Sequence, residues 1–84
     1  METYIEKFIT EGTDKLVGLK YVSNNGAVLL ADKKVALADG KTDEEYIADA
    51  FAMAQSEVDE WVAMEAEQAK NVGKKWNPAT NSLE

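Results

Sequence analysis

Three features of the chain predict an α+β domain: a hairpin signal at Asn25-Gly26, a long helical periodicity after Thr42, and a charge imbalance confined to that second run. The expected order is a short N-terminal helix, a two- or three-stranded antiparallel meander, and a long acidic C-terminal helix packed on the sheet. Residues 1–72 form the one domain, and residues 73–84 are expected as a flexible tail.

The first segment, TYIEKFITEG, sets apolar residues at positions 4, 5, 8 and 9, a helical spacing. Thr3 and Glu6 stand as a capping box and Gly12 as a stop, so a helix over 4–11 is predicted. A strand is the competing reading, because Tyr4, Phe8 and Ile5, Ile9 also alternate around Glu6 and Lys7, and so short a run does not settle its period.

Between two β-rich runs, Asn25-Gly26 suits a two-residue type I′ turn, in which both central residues take positive φ. That turn opposes Val22 to Leu29 and Tyr21 to Leu30. It places Val17, Leu19, Tyr21, Val28 and Leu30 on the core face. Asp32, Lys33 and Lys34 read as part of a turn, followed by a third strand over 35–38 that Asp39-Gly40 closes.

Thr42 and Glu45 make a second capping box, and Asp43, Glu44 and Glu45 suit the positive end of a helix dipole. Lys70 suits the negative end and Gly73 the stop, which predicts a helix from 43 to about 70. On its wheel Ile47, Phe51, Ala54, Val58, Trp61 and Val62 fall in one arc of roughly 100° and face the sheet. Trp61 therefore points inward although five carboxylates surround it in sequence, Glu57, Asp59, Glu60, Glu65 and Glu67. Such a helix is ~42 Å long, whereas a compact domain of this size has a diameter of roughly 30 Å. Glu65 interrupts the apolar arc, so packing ends near Val62 and about two turns overhang. Tyr46, Met53 and Met64 form a second apolar line about a quarter turn away.

Composition removes much chemistry. The chain has no histidine, cysteine or arginine, so there is no imidazole base, thiolate nucleophile or guanidinium clamp. Neither Gly40-Lys41 nor Gly73-Lys74 has the glycine spacing of a phosphate loop. A calcium loop centred on Gly40 would need ligands where Val35, Leu37 and Tyr46 stand. A non-enzymatic protein without cofactor or metal is expected, and catalytic, cofactor and metal sites are assigned to no residue.

Residues 1–42 carry six acids and six lysines, 43–70 nine acids and one lysine, and 71–84 two lysines and one acid, so the net charge of −7 arises in the helix. That balance opposes direct nucleic-acid binding. It leaves two classes of function. The first is a protein-interaction or assembly module that self-associates through the long helix, with Tyr46, Met53, Met64 and Trp76 as contacts and a homodimer as one partner state. The second is an acidic mimic of DNA that inhibits a basic nucleic-acid-binding protein through Asp49, Asp59, Glu60 and Glu67. Its charge, one per about 4.7 Å against one per ~1.7 Å on duplex DNA, would be sparse. No signal peptide or membrane-length apolar run is visible, which predicts a cytoplasmic protein. Leu83 and Glu84 read as a tag remnant and are set aside.

Overall fold

The structure, a computed structural model, describes residues 1–84. Strands β1 (Glu2–Glu11), β2 (Asp14–Val22) and β3 (Val28–Ala36) form an antiparallel sheet in the order β1-β2-β3. Helix α1 (Asp43–Asn71) lies across β3 and β2 on one face, and β4 (Trp76–Asn77) pairs with β5 (Ser82–Leu83) in a separate small hairpin.

The expected N-terminal helix is a strand. Its aromatic and β-branched residues suit a pleated surface, and β2 offers a free edge along its whole length. Gly12, at φ 62, makes the tight turn between Glu11 and Asp14 instead of ending a helix. β1 carries one extra residue: Ile5 opposes Leu19 and Lys7 opposes Gly18, so Glu6 forms a bulge.

The β2–β3 hairpin is real, but its register differs by one residue from the expected one. A type I′ turn needs positive φ at both Asn25 and Gly26, and only Gly26 has it, at 87°. The loop instead closes between Ser23 and Ala27: the Ser23 amide donates to the Ala27 carbonyl at 2.9 Å, and the Ala27 amide donates to Ser23 Oγ at 3.0 Å. Val22 then opposes Val28, and Tyr21 opposes Leu29. One residue of slip exchanges the faces of β3. Leu29, Ala31, Lys33 and Val35 turn toward the helix, while Val28 and Leu30, expected in the core, face away, Leu30 being 64% exposed.

β3 also runs straight through Ala31–Lys34, where a turn was expected. The charges there occupy alternating strand positions. On the face away from α1, Asp32 pairs with Lys7 at 3.3 Å and Lys34 with Glu11 at 3.9 Å, tying β3 to β1 across β2. On the helix side, Lys33 reaches Glu57 of α1. Gly18 lies beneath the Lys7–Asp32 pair, and a Cβ there would come within 2.8 Å of Asp32 Oδ1 and 3.0 Å of Lys7 Cβ. Gly18→Ala is therefore expected to cost about 1–3 kcal/mol in urea unfolding, because the Asp32 carboxylate must turn away from Lys7 and β1 must give at the Lys7 Cβ.

The helix forms as expected. Glu45 donates its amide to Thr42 Oγ1, the Glu45 carboxylate accepts from the Thr42 amide, and Val72 caps the other end by donating to the Gln68 carbonyl. The buried face, however, is Tyr46, Ala50, Ala54 and Val58, with Ile47 and Trp61 half-buried beside it. This face is rotated by roughly 40° from the predicted arc. The two alanines lie at the helix–sheet contact with no exposed surface, while Phe51 (42% exposed) and Val62 turn to the flank. Trp61 packs against the core as expected, and Glu65 is the last partly buried residue of the helix.

Past Glu65 the helix leaves the sheet. The molecule measures 65 × 18 × 16 Å with a radius of gyration of 18.4 Å, against about 12 Å for a compact chain of this length. The tail is not a featureless strand: Trp76 opposes Leu83, and the Glu84 amide donates to the Lys75 carbonyl at 2.8 Å. Leu83 and Glu84, set aside on sequence grounds, thus build half of the terminal hairpin.

Candidate functional site

The core has nine residues, three of them only alanines, Ala31, Ala50 and Ala54, and large apolar side chains lie exposed outside it. The four proposed contact residues separate. Tyr46 is withdrawn into the core: its hydroxyl accepts from the Ala38 amide at 3.0 Å and donates to the Ala38 carbonyl at 3.2 Å, clamping the β3–α1 connection to the helix. The ammonium groups of Lys15 and Lys41 stand 5.8 and 5.2 Å from its ring centre, occupying its remaining surface. Such a residue offers no docking surface. Met53 (50% exposed), Met64 (66%) and Trp76 (53%) remain available, but not as one patch.

Met53 lies beside the β3 edge, in a shallow depression shared with Lys34, Val35, Lys41 and Asp49. Met64 shares the wheel position of Tyr46, but the buried positions 46, 50, 54 and 58 advance about 40° at each step, so the contact line winds toward Trp61 and away from Met64. Trp76, with Leu83 opposite and exposed Val72 nearby in the chain, is the apolar part of the terminal hairpin.

The acidic residues also separate. Asp49 is tied to Lys41, and that hydrogen bond, with burial opposing it, raises the lysine pKa above its ordinary value. Asp59 accepts from Gln55 Nε2 at 2.9 Å. Glu60 and Glu67 have no lysine partner, and Glu67 lies on the projecting part of the helix. No three acidic side chains converge as a cation site would require.

The sequence reading missed the surface between α1 and β1. Because α1 covers β3 and β2, the inner side of β1 is left open, and Ile5 and half-buried Phe8 line it with Phe51 and Val62 on the near flank of the helix. The alternation of TYIEKFIT allowed a strand but sets Ile5 and Phe8 on opposite faces, and only the Glu6 bulge brings them to one side.

One buried polar atom stands alone. Tyr21, between Phe51 (ring centres 6.0 Å apart) and the core, buries a hydroxyl with no hydrogen-bond partner. Burial, and then the nearby Glu57 carboxylate, push this phenol above its ordinary value of 10.0. The folded state thus holds the proton where the unfolded chain releases it, so stability is intact below pH 10 and declines above. Tyr21→Phe is expected to flatten the decline above pH ~10, and to leave neutral-pH stability unchanged or raised by up to ~1 kcal/mol. Urea unfolding across that range measures both.

Comparison with protein-family models, with curated proteins and with solved structures finds no match to this chain. No helix is long and apolar enough to cross a membrane.

Proposed function

We propose that this chain is a non-catalytic protein-interaction or assembly module, an α+β platform that carries a projecting helix and a terminal hairpin. The observation that supports this most is the imbalance between core and surface: fourteen large apolar side chains are exposed, among them Ile5, Phe51, Val62, Met64 and Trp76, against a core of nine residues. Where such side chains lie together, as Ile5, Phe51 and Val62 do around the open side of β1, they mark a protein contact. Most of this apolar surface lies beside the sheet and in the terminal hairpin; on the projecting end of the helix, residues 66–71 hold no large apolar side chain, with exposed Met64 before them and Val72 and Trp76 after.

The unpaired Glu60 and Glu67 favour a second reading, an acidic face for a basic partner; Asp49, already neutralised by Lys41, contributes little to it. Salt separates the two. Affinity capture from native extract is expected to retain a partner at high ionic strength with the wild-type chain and to lose it with Met64→Glu or Trp76→Ala. A partner released by salt and by Glu60→Lys with Glu67→Lys favours the acidic face instead. If no protein is retained under either condition and the chain shows no self-association, the interaction reading fails.

A further inference from the structure

We infer that β1 is a self-complementary edge, and that a second copy of the chain pairs with it, β1 against β1 about a twofold axis normal to the sheet. This rests on the module reading and names its first partner. The segment Thr3-Tyr4-Ile5-Glu6-Lys7-Phe8-Ile9-Thr10 is a chemical palindrome about the Glu6–Lys7 peptide. Folded on itself in antiparallel register, it sets threonine against threonine, Tyr4 against Ile9, Ile5 against Phe8, and Glu6 against Lys7.

The bulge makes this register work. Antiparallel neighbours must point to the same side of a sheet, and in an uninterrupted strand a mirror about a peptide bond would oppose residues from different sides. Glu6 is the extra residue. Thr3, Ile5, Phe8 and Thr10 oppose Tyr21, Leu19, Val17 and Lys15 and face the helix side. Tyr4, Lys7 and Ile9 oppose Lys20, Gly18 and Leu16 and face the other side, where Glu6 also reaches Lys20 at 3.7 Å. Both sets are mirror-symmetric about the bulge, so every opposed pair in the dimer lies on one face.

A bulge with charges at mid-strand ordinarily keeps an edge from pairing. Here the charges are adjacent and opposite in sign, and a twofold axis turns them into two complementary pairs. Glu2 against Glu11 is the one repulsive match; it falls at the ends, and Lys34 already accompanies Glu11 at 3.9 Å.

The product is a six-stranded sheet with both helices on the same face. With strands ~4.8 Å apart and each helix above β2 and β3, the helix axes stand roughly 20 Å apart, beyond the 8–10 Å of packed helices. Association is therefore carried by the strands. Ile5 and Phe8 of both copies floor a trough that Phe51 and Val62 flank.

Sedimentation velocity of the full chain, with circular dichroism to verify folding, tests the pairing. The wild-type chain is expected to dimerise. Glu6→Lys and Lys7→Glu, each placing like charges opposite each other twice, are expected to raise the dissociation constant about tenfold or more. Mixing the two variants restores the opposed charges, and a heterodimer of near wild-type affinity is expected. Damage confined to the Lys7–Asp32 or Glu6–Lys20 pairs within one chain would not be repaired by mixing. Should a variant fail to fold, hydrogen exchange on the wild-type chain decides: the β1 amides not bonded to β2 slow with concentration if the edge pairs, and unslowed exchange overturns it. A dimer that ignores both charge variants but dissociates with Met64→Glu overturns the β1 pairing and leaves the assembly reading standing. A wild-type chain that stays monomeric at high concentration also overturns the pairing, and the assembly reading then rests on a heterologous partner.

Discussion

Tyr46→Ala is expected to remove about 3–5 kcal/mol from the free energy of unfolding, much of what a chain of this size has to lose. Two contributions combine. The ring is the largest helical side chain in the core, and its hydroxyl both donates to and accepts from Ala38, satisfying two backbone groups of the β3–α1 connection. Tyr46→Phe separates them: it keeps the ring and removes the partner of the Ala38 amide, while the Ala38 carbonyl still accepts from the Lys41 amide at 3.2 Å, and it is expected to cost about 1–2 kcal/mol. Urea unfolding of the two variants side by side gives each share. Equal losses would mean that the ring contributes nothing.

Leu19→Ala is expected to cost about 2–5 kcal/mol, since it leaves a cavity at the centre of β2 under the helix. Leu30→Ala is the control. The sequence placed both leucines on one core face, but the observed register sends Leu30 to the open side, so its truncation should stay within about 0.5 kcal/mol. Comparable losses from the two would favour the two-residue turn and contradict the register.

These residues mark where the sequence is informative. The long helix could be read to within a residue, because its capping box, first-turn acids and last-turn lysine are local signals that need no knowledge of the rest of the fold. Trp61 pointing inward followed from the same wheel, while the end of packing, expected near Val62, falls about one turn later at partly buried Glu65. The N-terminal segment was not legible, because TYIEKFIT satisfies both periods, and what decides is the edge of β2, a partner distant in sequence. The hairpin was legible in position but not in register: Asn25-Gly26 announces a turn, while the closing Ser23–Ala27 bonds that lengthen it depend on a serine hydroxyl. The helix face was displaced because Ala50 counts for little on a hydrophobicity wheel, although its small size is what lets the helix approach the sheet.

The same reasons account for the candidate contacts. Met53 and Met64 are exposed because they lie off the core arc, which a wheel shows, and Trp76, outside the helix, is exposed in the terminal hairpin. Tyr46 was misplaced by the same rotation that moved Phe51 and Val62 to the flank. The open side of β1 could not be found until β1 was known to be a strand.

The claim beneath all of this is that one chain buries too little, and that a second copy supplies the missing contacts. Thermal unfolding of the wild-type chain at two concentrations about a hundredfold apart tests it most directly. If unfolding separates two copies, the midpoint should rise by about 8 °C at the higher concentration. A midpoint that does not move with concentration would contradict the account.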